Sequence, residues 1–157
     1  MTITLQIDPP FQQNIDAKRL QELAQDALEH CQRPDAEMTI VITTDEAIQA
    51  LNRQYRGVDA PTDVLSFAEA SPADDFALPE QPSPWLGDVI ISAPGAARQA
   101  QTMGHTLFEE IQLLSVHGIL HLLGYEHLTP AEKEIMWRKQ AEILRLNNLS
   151  HVQPTEK

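Results

Sequence analysis

The segment from Leu107 to Leu123 constrains the fold of this chain more than any other part of the sequence. Thr106 and Glu109 have the spacing of a capping box, which predicts that a helix begins here. The apolar residues of this helix are Leu107, Phe108, Ile111, Leu113, Leu114, Val116, Ile119, Leu120, Leu122 and Leu123. They cover nearly every face, so the helix is expected at the centre of a domain. Gly124 is expected to end it.

The rest of the chain predicts a fold of the α+β class. Strands are expected over residues 2–7, 38–43, 63–67 and 88–92, which are rich in β-branched residues. Four further helices are expected over residues 16–31, from a cap at Thr43 to about 53, 92–103 and 129–146. With the central helix, this gives one domain over residues 1–157, built from a mixed sheet of about four strands and about five helices.

Two segments are expected to lie outside the regular elements. Residues 68–85 contain four prolines and several acidic residues but no basic one, which indicates an acidic, proline-rich loop. Residues from about 148 to 157 are expected to form a frayed tail. The formal net charge of −12 argues against broad, non-specific adhesion to nucleic acid, although a local basic site remains open.

The composition favours a cytoplasmic protein without a membrane segment. No apolar run approaches the length of a membrane span. The N-terminal residues have no basic leader before an apolar stretch, so no signal peptide is expected. The single cysteine, Cys31, cannot form an internal disulfide, which fits a reducing compartment. We interpret it as a small core residue in preference to a reactive thiol.

Three histidines follow one another in the stretch HGILHLLGYEH, residues 117–127. His117 and His121 are four residues apart on a helix, so their side chains leave the same face. The turn at Gly124 redirects the chain, so the short segment after it can bring His127 to the same point. Three converging imidazoles with a fourth position left for water are typical of an open zinc site, although nickel, copper and iron also accept such ligands. The other histidines, at 30, 105 and 151, have no such spacing and are expected to be ordinary.

The spacing of these histidines also matches the zinc-ligand pattern of metzincin proteases, with one difference. Those enzymes carry a glutamate base after the first histidine, whereas this chain carries Gly118. A peptidase without this base lacks its proton acceptor. A glycine inside a helix costs about 1 kcal/mol relative to alanine. Gly118 therefore indicates either close approach by a backbone or a substrate, or tight core packing. Glu126 lies beyond the turn, and nothing in the sequence directs it inward.

A second group of polar residues lies in LNRQYRGVDAPTDVLSF, residues 51–67. Arg56 is either a solvated side chain or a fork for phosphate oxygens, in which case it would stabilise charge beside a metal. Asp63 has three interpretations: it caps a turn, it holds Arg56, or it accepts a ring N–H from a ligand histidine. Glu109 and Glu110 are expected to be structural, at the favourable end of the helix dipole. The two tryptophans, at 85 and 137, are expected to be packing residues.

These stretches resemble the motifs of a known family. HGILHLLGYEH is similar to the H-G-x-L-H-L-x-G-Y-D-H signature of the YbeY family, with Glu126 in place of the usual aspartate. Residues 51–67 resemble the second motif of that family, and GDVIIS, residues 87–92, the third. The resemblance begins at about residue 37 and continues along nearly all of the chain. The acidic stretch 68–85 is longer than the family pattern needs.

The resemblance implies a metal-dependent, single-strand endoribonuclease. Members of the family act in rRNA maturation, at the 3′ end of small-subunit rRNA, and in ribosome quality control. Single-stranded rRNA, the ribosome and ribosomal proteins are thus the implied partners. Carried over by position, His117, His121 and His127 would hold one Zn²⁺, and Arg56 would be the catalytic arginine. The implied chemistry places a zinc-bound water and Arg56 at the scissile phosphate.

Two other functions remain open from the sequence. One is a metal-dependent hydrolase of another class, such as a peptidase; the histidine pattern supports it and Gly118 opposes it. The other is a non-catalytic ribosome-assembly factor that contains zinc. A structural zinc usually has four protein ligands, so a fourth ligand in the site would favour this alternative.

Overall fold

A four-stranded mixed sheet forms one layer of the computed structural model, which describes residues 3–68 and 84–154. The strands are β1 (Ile3–Ile7), β2 (Glu37–Thr43), β3 (Val64–Ala68) and β4 (Trp85–Ser92), in the order β1-β2-β4-β3. β1, β2 and β4 are parallel, and β3 is antiparallel to β4. Among the strands that the structure describes, β3 therefore lies at an edge of the sheet.

Five α-helices and one 3-10 helix complete the part of the chain that the structure describes. They are the 3-10 helix Pro9–Asn14, α1 (Ala17–His30), α2 (Asp45–Arg56), α3 (Ala93–Met103), α4 (Leu107–Leu122) and α5 (Pro130–Leu146). The predicted α+β fold with a four-stranded mixed sheet is confirmed. Among residues 3–68 and 84–154, no helix combines the length and the apolar character that crossing a membrane requires.

The helix starts show where local sequence is sufficient. Thr106 and Thr129 both form complete capping boxes, at the starts of α4 and α5. The predicted cap of α2 at Thr43 is wrong, because Thr44 accepts the hydrogen bond from the Ala47 amide at 3.1 Å. Thr43 is still paired with β4, and its hydroxyl donates to Asp8 at 2.7 Å.

α4 is the central helix, as predicted. It packs on β3 and β4 and also on α1, α3 and α5. It lies close to the sheet at Gly118, where a Cβ would be 2.6 Å from Cγ1 of Val89 on β4. The Ser66 hydroxyl donates to the Gly118 carbonyl oxygen at 3.2 Å. Of the interpretations left open for Gly118, tight packing against the sheet is the correct one.

The other face of the sheet is covered by α2. Ile48 of α2 forms a small buried cluster with Leu65 and Ile90. Val89 and Ile91, which flank Ile90 on β4, belong instead to the main core around α4. Side chains alternate along a strand, so α2 and α4 lie on opposite faces. The end of α2 can reach the α4 side only around the β3 edge.

The predicted frayed tail is not frayed throughout. Leu149 and Val152 are buried and belong to the main core. Backbone hydrogen bonds from the Leu149 amide to the Leu144 carbonyl, at 2.8 Å, and from the Val152 amide to the Leu149 carbonyl, at 3.0 Å, fold this stretch back after α5. Most of the predicted acidic loop, residues 69–83, lies outside the described residues, while its two ends belong to β3 and β4.

Candidate metal centre

The three histidines of the 117–127 stretch come together in one place. His117 and His121 lie on the last two turns of α4, and the left-handed backbone at Gly124, with φ of +100°, redirects the chain toward His127. One ring nitrogen from each histidine lies within 4.8 Å of the others. The Nε2 atoms of His117 and His121 are 3.1 Å apart. Two nitrogens of a tetrahedral zinc site are about 3.3 Å apart, so the group fits one metal ion.

The outer nitrogens of two of these rings are held by oxygen acceptors. Nδ1 of His117 donates to Oε1 of Gln140 at 3.1 Å, and Nδ1 of His121 donates to the Tyr125 carbonyl at 3.0 Å. These bonds place the proton of each neutral ring on Nδ1 and leave a lone pair on Nε2. The two lone pairs then face each other with no proton between them. A cation at this point would remove their repulsion.

The protonation of the histidines is compatible with metal binding. Burial, with a smaller contribution from His121, lowers the pKa of His117 to about 4. Burial also lowers the pKa of His121, against the opposing effect of Glu126. Metals bind the neutral imidazole. Both rings are therefore in the ligand form at neutral pH.

Gln140 is a part of the site that the sequence analysis missed. It lies on α5, and only 2% of its surface is exposed. It occupies the same buried stripe as Met136, Ile143 and Leu144. A polar residue at an apolar position of an amphipathic helix is the signal that could have identified it. Nothing in the sequence indicated which histidine it would contact.

Replacing Gln140 by methionine is expected to weaken zinc binding about 10- to 100-fold, the usual effect of losing the acceptor behind a ligand histidine. Methionine has a similar length, so the fold should be retained. The measurement is a competition titration of zinc against a chromophoric chelator. Gln140→Glu, which keeps an acceptor for His117, is the matched control and should retain affinity. An unchanged zinc affinity for the methionine variant would contradict this role.

The tryptophan nearest the histidines packs against their rings. The ring centroid of Trp137 lies 5.7 Å from that of His117 and 5.4 Å from that of His127, and both contacts are edge-to-face. Such contacts restrict ring rotation and exclude water from one side of the site. This position matches the predicted packing role of Trp137.

The histidines open onto a cavity of about 620 Å³ that Arg56 also lines. Arg56 is the last residue of α2 and extends around the β3 edge. Its Nη2 donates to the Ser66 carbonyl at 2.7 Å, and its guanidinium carbon lies 5.5 Å from the centre of the Phe67 ring. The structure thus brings Arg56 and the three histidines to one cleft.

Asp63 also lines this cleft and has a structural set of contacts. Its carboxylate accepts hydrogen bonds from the Val64 amide at 2.8 Å and from Nε2 of Gln99 at 2.9 Å. Of the three interpretations left open, capping the turn before β3 is the one that these bonds match. The outer nitrogens of His117 and His121 have other partners, as described above.

Glu110 forms a buried pair that its expected place at the start of α4 did not predict. Only 1% of its side chain is exposed, it lines the cleft, and it is paired with the buried ring of His105. Burial raises the pKa of Glu110, and His105 opposes this shift. No sequence signal indicated this pair. The remaining two histidines contact carboxylates elsewhere. His30 contacts Glu142, and His151 contacts Glu109, the glutamate of the α4 capping box.

Comparisons with known proteins identify relatives of this chain. The family model described as "Endoribonuclease YbeY" matches residues 7–148. A protein named "Endoribonuclease YbeY" from Roseiflexus sp. (strain RS-1) is 42% identical over 151 residues, which cover 95% of this chain and 94% of that protein. One of the same name from Pelotomaculum thermopropionicum is 51% identical over 116 residues, covering 74% of this chain and 75% of that protein.

A solved structure shows the same fold. The solution structure of TM1509 from Thermotoga maritima superposes with a TM-score of 0.58 and covers 99% of both chains, at 22% identity. At this identity the likeness concerns the fold alone. The family model and the relatives extend well beyond the histidine motif and cover the sheet, the arginine segment and α5. This chain therefore belongs to the YbeY family.

Proposed function

We propose that this protein is an endoribonuclease that cleaves single-stranded RNA with the help of one zinc ion bound by His117, His121 and His127. Its substrate is rRNA, cut during maturation of the 3′ end of the small-subunit rRNA and during ribosome quality control in the cytoplasm. The observation that carries this proposal is the placement of Arg56 and the histidine cluster in one cleft of a YbeY-family chain.

His117, His121 and His127 would hold the zinc ion, and zinc bound there would supply Lewis acidity to a phosphoryl oxygen and to a water molecule. A phosphodiester tolerates the absence of a glutamate at position 118 better than a peptide does, because the leaving group and the developing charge differ. No such side chain fits there, because even a Cβ at Gly118 would overlap Val89.

Arg56 supplies the second positive group. A guanidinium has five N–H donors, and the contact with the Ser66 carbonyl uses Nη2. The remaining donors can bind two oxygens of a phosphate as a fork. The Phe67 ring and the Ser66 carbonyl hold the group before substrate arrives. Charge that develops on the phosphorane oxygens is then stabilised without reorganisation of the protein.

The peptidase alternative fits this cleft less well. Zinc peptidases of the metzincin pattern depend on the glutamate that Gly118 replaces. An extended peptide would also need backbone partners along a strand edge. On the β3 edge, the Ser66 carbonyl is already bound by Arg56.

The alternative of a structural zinc in an assembly factor requires a fourth protein ligand. Among the described residues, the group with metal-ligand spacing consists of the three histidines. The nearby carboxylate of Glu126 lies 3.6 Å from Nδ1 of His121, on the opposite side of the ring from the Nε2 that faces His117. Three ligands and an open position favour catalysis.

The test is cleavage of an end-labelled 3′-terminal fragment of small-subunit rRNA by the purified protein, with and without a chelator. Cleavage should disappear with the chelator, return with added zinc, and be absent in His121→Ala. His30→Ala, whose ring pairs with Glu142 outside the cleft, is the matched control and should cleave normally. Elemental analysis of the purified protein should give one zinc per chain. Metal-loaded wild type that cleaves no faster than His121→Ala would support the assembly-factor alternative.

The net charge of −12 bears on how RNA reaches the cleft. A strongly acidic chain repels a free polyanion at low ionic strength. We therefore propose that the ribosome or a basic ribosomal protein presents the rRNA. Adding such a partner to the cleavage assay should accelerate cutting of the fragment, and this acceleration should weaken as salt is raised.

A further inference from the structure

Tyr55 presents an aromatic ring one side chain away from the cleft. It lies on α2 immediately before Arg56, and 61% of the residue is exposed. Its ring meets the Phe67 ring edge-on, with the centroids 5.4 Å apart and an interplanar angle of 64°. Arg56 lies over that same Phe67 ring. Tyr55 and Arg56 are thus neighbours through Phe67, although adjacent positions on a helix point in different directions.

A second exposed arginine lies on the same helix as Tyr55 and Arg56. Arg53 lies one turn before Arg56 on α2, and 65% of its side chain is exposed. Its nearest carboxylate, on Asp59, is 3.9 Å away and similarly exposed, so the pair is weak. Arg53 and Arg56 are three residues apart and share one side of α2, whereas Tyr55 lies away from Arg53 and contacts Phe67. The link between Tyr55 and the cleft is therefore the Phe67 ring, which Arg56 also contacts.

The charge of the whole protein makes uncharged contacts with RNA valuable. A chain with a net charge of −12 gains little from long-range attraction to a polyanion. Stacking of a base on an aromatic ring does not depend on net charge and accepts every base, because each base has a π face. An exposed tyrosine beside a phosphate-binding arginine is suited to this contact.

We propose that Tyr55 is a stacking platform for the nucleobase next to the phosphate that Arg56 binds. This inference rests on the proposed function and deepens it, because it makes the ligand single-stranded RNA with an unstacked base and predicts little preference for base identity. Phe67 restrains the tyrosine ring through their edge-on contact, and Arg56 fixes the position of the RNA backbone. A duplex, whose bases are stacked on one another, would not satisfy this site.

The experiment compares binding of a short, fluorescein-labelled 2′-O-methyl RNA to the zinc-loaded wild type, Tyr55→Leu and Tyr55→Phe. Gels before and after the titration verify that the RNA stays intact. Leucine keeps an apolar contact with Phe67 but has no π face, so Kd should rise about tenfold. Phenylalanine should bind like the wild type. Leu146→Ala, an exposed apolar residue at the end of α5, is the control and should have no effect.

A series of RNAs with one abasic position each gives the sharper result. At the stacked position, removal of the base should weaken wild-type binding about as much as Tyr55→Leu does, and it should weaken the Tyr55→Leu variant no further. At other positions the two effects should add. Additive effects at every position, or equal Kd values for wild type and Tyr55→Leu, would overturn the platform.

The outcomes separate this proposal from the proposed function. A wild type that binds RNA through Tyr55 but cleaves no RNA supports the platform and refutes the nuclease. A wild type that cleaves RNA with the same KM as Tyr55→Leu refutes the platform and supports the nuclease. Failure of the zinc-loaded wild type to bind any of the RNAs overturns the platform as well. Zinc content and thermal melting of Tyr55→Leu should equal those of the wild type, since the side chain is mostly exposed.

Discussion

Replacing Arg56 by lysine is expected to lower the rate of RNA cleavage about 100- to 1,000-fold, the usual effect of removing one preorganised donor from a charge-stabilising site. Lysine keeps the positive charge, so any loss reports on geometry. An ammonium group cannot bind the Ser66 carbonyl and also present a planar fork to a phosphate. It also loses the flat contact with Phe67. The measurement is single-turnover cleavage of the labelled rRNA fragment at saturating enzyme.

The matched control for this substitution is Arg53→Lys on the same helix. Arg53 pairs with Asp59 at the surface and does not line the cleft, so its replacement should change single-turnover cleavage by less than about twofold. Zinc content should be unchanged in both variants. If Arg56→Lys cleaved as fast as the wild type, the arginine would serve only to hold α2 against the β3 edge.

Gly118→Ala is expected to lower the free energy of unfolding by about 1–3 kcal/mol, as overpacking of a core commonly does. Alanine would by itself favour a helix by about 1 kcal/mol, so the expected sign opposes helix propensity. The cause is the distance of 2.6 Å between the new Cβ and Cγ1 of Val89. Denaturant unfolding of the chelator-treated protein measures the change without a contribution from metal binding.

Val89→Ala provides the decisive comparison for Gly118→Ala. Removing the two methyl groups of Val89 should itself cost stability, because the residue is fully buried. In the double variant the new methyl group occupies part of the vacated space, so the double loss should be smaller than the sum of the single losses by 1 kcal/mol or more. Additive losses would mean that the helix moves away from the sheet and that Val89 is not the obstacle.

Features decided within one or two helical turns were predictable from the sequence. The capping boxes of α4 and α5 are local features, and the structure confirms them. The shared helix face of His117 and His121 is also local, and their rings lie together as expected. The cap of α2 was misplaced by one residue because two adjacent threonines compete. The strand was predicted to include Thr43, and its pairing with Ser92 on β4 keeps Thr43 in the sheet and leaves the cap to Thr44.

Features decided by packing between distant segments were not predictable. Gln140 reaches His117 from 23 residues away, and the sequence contained only an unexplained polar residue in an apolar stripe. The tail after α5 looked polar, yet Leu149 and Val152 are buried through the turns that follow the helix. Arg56 could be identified as a candidate but not placed, because its position depends on β3 being an edge strand.

Ser66 contacts both halves of the cleft, with its hydroxyl on the Gly118 carbonyl of α4 and its own carbonyl on Arg56. One residue of the sheet thus contacts both the helix that bears His117 and His121 and the guanidinium of Arg56. Thermal motion of β3 would carry both partners together, so their spacing should vary less than the position of either one. We therefore expect this cleft to favour substrates whose backbone can bend to meet one fixed width.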